Sequence, residues 1–175
     1  LLLLYIGMTF SETVLLKLAG MSWFDAVNHS FSTIATGGFS TRSLSIAYYN
    51  SIWIELIIVV FMALSGIHFG LLFATVTGRH NNIFRSEVTR YYFATFMVAG
   101  LFIAVSLWGS DIYPTLTEAL RYGYFQAVSI ITTTGFATAD TTVWTPLAII
   151  ILIFLMFQCG CAGSTSGGIK SDRVW

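Results

Sequence analysis

A short segment rich in threonine and glycine occurs twice in this chain, at a constant spacing of 97 residues. The copies are residues 35–41 and 132–138, and each follows an apolar stretch and precedes another. The same shift, without a gap, pairs Thr36 with Thr133, Gly38 with Gly135, Phe39 with Phe136, Gly66 with Gly163 and Gly70 with Gly167. An internal repeat in an apolar chain predicts a symmetric structure whose functional site lies near the symmetry axis.

The composition indicates an integral membrane protein. Hydrophobic residues make up 56% of the chain, charged residues only 9%, and the mean hydropathy is +0.80. Soluble domains carry about 25% charged residues, so this chain cannot cover itself with a water-compatible surface. The predicted fold class is therefore all-α integral membrane, and the formal net charge of zero argues against nucleic acid as a partner.

The apolar stretches divide into two repeats. Residues 1–76 contain a spanning helix, a short helix (22–35), the first loop and a second spanning segment (52–76). Residues 77–90 form a linker, and residues 91–175 repeat the pattern with a short helix at 118–131. The linker and the tail after residue 168 carry the basic residues Arg79, Arg85, Arg90, Lys170 and Arg173, which predicts that this side is cytoplasmic.

Short helices that end in Thr/Gly loops and do not cross the bilayer indicate re-entrant pore loops. Main-chain carbonyl oxygens in such loops can replace the hydration shell of a potassium ion, and the negative end of the helix dipole favours a cation there. The predicted filter residues are Thr36, Gly37, Gly38, Thr133, Thr134 and Gly135. Phe39 and Phe136 are expected to anchor the loops in surrounding protein. A pair of ordinary tight turns is the alternative, which two copies in register make less favourable.

A second irregular segment lies at residues 160–168, directly after an apolar run. Non-helical backbone at membrane depth must face protein or water, because its polar groups need partners. We therefore predict an intramembrane gating loop below the filter rather than a plain linker, with the residues Gly160, Gly163, Ser164, Thr165, Gly167 and Gly168. Lys170 is expected either to close this loop or to anchor at the cytoplasmic interface, with neither role favoured.

An enzyme is not indicated. Ser164 and Ser166 lie near glycines but do not fit the Gly-x-Ser-x-Gly pattern of a nucleophile turn. No phosphate-binding loop or dinucleotide fingerprint is present in the sequence. His29, His68 and His80 have no sequence partners that suggest catalysis or a metal site, and Cys159 and Cys161 are best explained as small apolar residues. No covalently bound cofactor is predicted.

Three segments, residues 24–41, 132–140 and 160–170, resemble the Trk/Ktr/HKT superfamily of potassium transporters, in particular its bacterial TrkH branch. The resemblance implies four helix–pore loop–helix repeats around one pore, of which this chain looks like the second and third. It implies that Gly38 and Gly135 are filter glycines, that the carbonyls of Thr36, Gly37, Thr133 and Thr134 contact potassium, and that residues 160–168 gate the pore. Gln158, Cys159 and Ser166 depart from the family pattern.

The function predicted on these grounds is potassium uptake across the bacterial cytoplasmic (inner) membrane, with potassium as the substrate. The resemblance further implies a homodimer and a cytoplasmic nucleotide-binding regulatory subunit. Two loops cannot encircle an ion, so either the native chain is longer or two copies assemble, and the apparent lack of natural ends favours a longer chain. The alternative is a non-conducting helical scaffold or sensor whose glycine loops only pack helices.

Overall fold

The computed structural model of the chain describes residues 2–78, 83 and 86–174. The basic-side prediction draws in part on Arg79 and Arg85, which lie outside the described residues, as does His80. The described elements are α1 (Leu2–Leu18), α2 (Trp23–Ile34), a 3-10 helix (Ser45–Tyr49), α3 (Ile52–Ser65), α4 (Phe69–Val76), α5 (Glu87–Trp108), α6 (Leu116–Ile131), a 3-10 helix (Thr141–Val143), α7 (Pro146–Phe157), β1 (Gln158–Cys159), β2 (Ile169–Lys170) and α8 (Ser171–Val174).

The short helices α2 and α6 begin at side-chain caps. The Ser22 hydroxyl accepts a hydrogen bond from the Asp25 N–H at 3.0 Å, and Thr115 caps α6 by accepting from the Glu118 N–H at 3.3 Å. Each cap satisfies an N–H group that has no partner inside the helix. The predicted helices at 22–35 and 118–131 are thus confirmed to within two residues at each end.

The two halves of the chain share one packing plan. In each half the long first helix lies along the short one, α1 on α2 and α5 on α6, and the third helix (α3 or α7) packs against the short helix. α3 also contacts α6, which brings the halves together. Fully buried Phe125, Phe136 and Ile34 form part of the core around the C-terminal ends of α2 and α6.

The predicted spanning segment at 52–76 is not one helix. It divides into α3 and α4, which meet at an angle of 105°. Gly66 lies at this break, and a Cβ there would come within 2.3 Å of the Tyr92 hydroxyl oxygen. Tyr92 is fully buried and donates a hydrogen bond to the Ala63 carbonyl at 3.3 Å. The Tyr92 ring therefore occupies the space beside the break.

Within the described residues, α5 alone is long and apolar enough to cross a membrane as a straight helix, and α3 with α4 passes the same test as a bent pair. α7 is apolar but has 12 residues. The fold is helical, as predicted, and β1 and β2 add a two-residue parallel pair, with Gln158 opposite Ile169 and Cys159 opposite Lys170. This pair joins the two ends of the glycine-rich segment.

Candidate functional site

The two Thr/Gly loops begin with the same hydrogen bonds. In both, the backbone N–H groups of the second and third loop residues donate to carbonyls in the last turn of the preceding helix, in the pattern of a Schellman motif. The four bonds are Thr36 N–H to Thr33 O at 3.0 Å, Gly37 N–H to Ser32 O at 2.7 Å, Thr133 N–H to Ile130 O at 2.9 Å and Thr134 N–H to Ser129 O at 3.0 Å. The repeat found in the sequence therefore extends to the backbone geometry.

Both loops also share two left-handed positions. Thr36 has a φ of 52° and Thr133 a φ of 58°, while Gly38 and Gly135 have φ values of 68° and 84°. The glycines were expected to adopt such angles, but the threonines were not, because a β-branched residue with positive φ is an outlier. Such strain concentrates at functional sites, where the surrounding structure holds the backbone in place.

The first loop touches the second at Gly38. A Cβ on Gly38 would lie 1.9 Å from the carbonyl oxygen of Thr134, and 3.2 Å from the carbonyl carbon of Gly135. A Cβ on Gly135 would meet no atom of the described residues within 4 Å. The second loop thus fills the space beside Gly38, whereas no described residue fills the equivalent space beside Gly135.

Several loop carbonyls have no hydrogen-bond donor. Among the described residues, no donor reaches the carbonyl oxygens of Thr36, Gly37, Thr133 or Thr134. The C-terminal ends of α2 and α6, which carry the partial negative charge of the helix dipole, lead directly into these loops. The site is therefore rich in oxygen atoms that can bind a desolvated cation.

The end of the first loop is held by hydrogen bonds and an ion pair to Asp25. The Thr41 hydroxyl donates to Asp25 Oδ1 at 2.5 Å, and Arg42 Nη2 donates to Asp25 Oδ2 at 2.9 Å. The Thr41 hydrogen bond, aided by the Arg42 guanidinium, holds the pKa of the Asp25 carboxyl well below its usual range. The segment after the first loop is thereby tied to the start of α2.

The second loop is held differently. The Ser129 hydroxyl donates to the Phe136 carbonyl at 2.6 Å, and the Phe136 ring is fully buried. Phe39, the equivalent residue of the first loop, is 81% exposed in this chain. Phe136 is thus anchored as predicted, whereas the anchoring of Phe39 by surrounding protein stays a prediction, because the described part of this chain leaves its ring exposed.

The glycine-rich segment bonds to both loops. The Thr36 hydroxyl donates to the Thr165 carbonyl at 3.0 Å, and the Gly167 N–H donates to the Thr133 hydroxyl at 2.8 Å. These two threonines are equivalent in the repeat, so the segment contacts both halves at matching positions. The predicted site residues of the three segments thus lie together.

Within the glycine-rich segment, two serines and one lysine form hydrogen bonds with one another. Ser164 Oγ lies 2.7 Å from Ser166 Oγ, and Lys170 Nζ donates to the Ser166 carbonyl oxygen and lies 3.3 Å from Ser166 Oγ. Gly160, Gly163 and Gly168 all lie where a Cβ would come within 2.6 Å of another atom. The segment is closely packed, and a side chain at any of these three glycines would displace a neighbour.

Sequence reasoning missed the partner of this segment, which is the break between α3 and α4. The Gly66 carbonyl accepts from the Cys161 N–H at 2.9 Å, and the Phe69 N–H donates to the Gly163 carbonyl at 3.2 Å. His68 caps α4, where its Nδ1 accepts from the Gly70 N–H at 2.9 Å. The pairing of Gly66 with Gly163 in the repeat was the available signal, since both mark helix breaks.

Comparison with known proteins supports one family. The family described as "TrkH: Cation transport protein" matches residues 1–175 of this chain. The chain is similar to the Trk system potassium uptake protein TrkH of Halomonas elongata, with 43% identity over 98% of this chain and 36% of that protein. TrkH of Salmonella typhimurium is 38% identical over 98% of this chain and 36% of its own length.

A solved structure agrees with these relatives. The crystal structure of the potassium transporter TrkH from Vibrio parahaemolyticus superposes with a TM-score of 0.92 at 38% identity, covering 98% of this chain and 37% of that one. The chain thus spans a little over a third of the length of the relatives that it matches. On the full-length family match and this superposition, the chain belongs to the TrkH family of cation transport proteins.

Proposed function

We propose that the complete protein containing this chain takes up potassium across the bacterial cytoplasmic membrane, through a pore in which the two Thr/Gly loops form part of the selectivity filter. The observation that carries the proposal is the pair of loops with the same backbone hydrogen bonds, which touch at Gly38 and Thr134. Among the described residues, the carbonyl oxygens of Thr36, Gly37, Thr133 and Thr134 have no donor. The relatives named as potassium uptake proteins make potassium the expected ion.

Selectivity on this proposal comes from the fixed spacing of backbone oxygens. An ion that enters must lose water, and the carbonyls of Thr36, Gly37, Thr133 and Thr134 replace it. The hydrogen bonds that hold both loops to α2 and α6 limit how far the oxygens can move towards a smaller ion. Two loops supply half of a ring, and the open space beside Gly135 is where a further loop fits.

The glycine-rich segment is proposed as the gate. Its hydrogen bonds with Thr36 and Thr133 support this role, because a segment held against both loops would obstruct an ion that passes between them. The bond from Lys170 to the Ser166 carbonyl favours a role for this lysine in closing the loop over interfacial anchoring. Opening would require the segment to release both threonines.

The assembly is proposed from the family. The remaining loops of the ring come from other parts of a longer chain, which by the resemblance forms a homodimer and binds a cytoplasmic nucleotide-binding regulatory subunit. The family is one of transporters, so the chain has no proposed catalytic role. Potassium is its substrate and not a resident cofactor.

The test is the flux of rubidium and sodium into liposomes that hold the complete protein, with Gly135→Asp beside the wild type. The matched control is Gly20→Asp, because Gly20 also has a positive φ and open surroundings but lies outside the loops. The proposal expects selective rubidium uptake in the wild type and the control, and its loss in Gly135→Asp protein that still folds. Undiminished rubidium flux in Gly135→Asp, or no rubidium flux in the wild type, would contradict the proposal and favour a non-conducting helical scaffold.

A further inference from the structure

His29 lies between the two Thr/Gly loops and contacts both. It is fully buried on α2, and its Nε2 lies 2.9 Å from the hydroxyl of Ser40, at the end of the first loop. Its ring packs against the ring of Phe136 in the second loop, with centroids 5.7 Å apart, and Tyr49 packs edge-on at 5.8 Å. One imidazole therefore joins the two loops from behind.

The hydrogen bonds of His29 define its tautomer. Nδ1 lies 2.7 Å from the backbone carbonyl oxygen of Asp25, which can only accept, so Nδ1 carries the proton. In a neutral ring Nε2 is then the acceptor, and the Ser40 hydroxyl donates to it. The Ser40 oxygen in turn accepts from the Arg42 N–H at 3.1 Å. With the imidazole neutral, every bond in this series has one donor and one acceptor.

The equivalent residue of the second half is Gln126, which the shift of 97 places on His29. Gln126 is buried, and within the described part of the chain its Oε1 has no hydrogen-bond partner. Its side-chain amide can reach about as far as the imidazole and offers the same kinds of donor and acceptor without titrating. An unpaired buried oxygen at this position indicates that it, too, meets a neighbouring loop, one that this chain does not contain.

We propose that neutral His29 is a positioning residue of the filter, which fixes the spacing of the two loops by bonding Ser40 of the first and packing on Phe136 of the second. Gln126 performs the same task towards the next loop. This inference rests on the proposed function, since it assumes that the loops form the filter. His29 itself does not contact the ion.

The surroundings of His29 make its task sensitive to acid. The charges that act on the ring are those of Asp25 and Arg42, the titratable Tyr49 packs on it from the 3-10 helix, and the second loop contributes the apolar Phe136. Burial lowers the pKa of His29, so the neutral ring is the native form at pH 7. Protonation turns Nε2 from an acceptor into a donor, so the Ser40 hydroxyl must turn its hydrogen away, and it places a positive charge in a fully buried site, which disfavours the packed arrangement of the two loops.

The sign of the pH effect follows. Because the folded pKa lies below the ordinary value of about 6.5, the loop spacing is kept above that pH and is lost as the pH falls through the lower folded value. Glutamine at this position cannot titrate. His29→Gln therefore introduces the residue that the second half has at the equivalent position, and it should remove the acid sensitivity. His29→Phe keeps the ring contact and loses both hydrogen bonds.

The experiment measures the rubidium-to-sodium flux ratio of the complete protein in liposomes as the pH is lowered from about 7.5, above the ordinary histidine value of about 6.5, to about pH 4. At the higher pH we expect His29→Phe to lower the ratio about fivefold to tenfold, from the loss of buried hydrogen bonds. His29→Gln should keep a ratio near that of the wild type and should not respond to pH. Asn28→Ala, a change at the exposed neighbour on α2, should leave the ratio unchanged.

Ser40→Ala gives an independent readout if His29→Phe fails to fold. It removes the same bond from the loop side, so it should lower the ratio, and adding it to His29→Phe should have little further effect. A wild-type ratio in folded His29→Phe and in Ser40→Ala would overturn the proposal, as would a pH profile of His29→Gln equal to that of the wild type. Absence of selective rubidium flux in the wild type would instead refute the filter itself.

Discussion

A methyl group at Gly38 would strike the backbone of the neighbouring loop. The added Cβ would lie 1.9 Å from the Thr134 carbonyl oxygen and 3.0 Å from its carbon. A carbon–oxygen contact normally needs about 3.3 Å, so the two loops would have to separate by more than about 1 Å. The obstacle is backbone and not a flexible side chain, so no rotamer change can relieve it.

The expected effect of Gly38→Ala is loss of selective transport. A φ of 68° adds about 1 kcal/mol for any residue with a Cβ, which most folded proteins tolerate. The displacement is the larger effect, because binding sites keep their function only within about 0.5 Å and a shift of about 1 Å can lower a rate about 100-fold. We therefore expect rubidium uptake to fall about 100-fold, with sodium discrimination lost in the remaining flux.

Gly78→Ala is the matched control, since Gly78 has a φ of 70° and no atom of the described residues lies within 4 Å of its added Cβ. It carries the same backbone strain without the clash. Radioactive rubidium uptake and thermal unfolding of both variants separate strain from displacement. Uptake in Gly38→Ala within about twofold of Gly78→Ala, in equally folded protein, would refute the reasoning that the loops are held in contact at this point.

Four further expectations follow from the same geometry. Gly135→Ala, which meets nothing in this chain, should reduce rubidium uptake as severely as Gly38→Ala if another loop completes the ring, and only as mildly as Gly78→Ala if none does. Lys170→Met should raise resting rubidium flux several-fold, because it removes a charge-assisted bond within the closed gate. Arg121→Met should cost about 3 kcal/mol in thermal unfolding, because it leaves the buried Glu55 carboxylate unpaired, and Glu55→Gln in addition should restore part of the loss. Asp25→Asn should lower uptake equally from pH 8 down to about pH 5, because a carboxyl with a depressed pKa contributes fully above about 3.9 and is lost only below it.

Much of the site could be predicted because the internal repeat is visible in the amino-acid sequence. The pairing of Thr36 with Thr133 and of Gly38 with Gly135 located both loops, and the structure gives each pair matching φ values. Local chemistry also fixed the beginnings of α2 and α6, where Ser22 and Thr115 cap the first turn. These features depend on interactions between residues a few positions apart.

Other features depend on contacts between distant residues. The pairing of Gly66 with Gly163 marks a break in the helix, but the bend of 105° depends on the Tyr92 ring and the glycine-rich segment that pack beside it. The left-handed backbone of Thr36 and Thr133 likewise depends on distant residues. Thr36 donates a hydrogen bond to the Thr165 carbonyl and Thr133 accepts one from the Gly167 N–H, and these bonds help to hold the strained backbone in place. Local propensity alone favours glycine at both threonine positions.

The sequence by itself determined a helical membrane protein with two equivalent Thr/Gly loops and an irregular glycine-rich segment, because composition, periodicity and repetition are properties of the chain. The tertiary structure alone decided that the first loop meets the second at Gly38, that the segment bonds to both, and that His29 stands between them. Residues far apart in the sequence, such as Gly38 and Thr134, meet there only after the helices have packed, and the spacing of the carbonyl oxygens depends on those contacts.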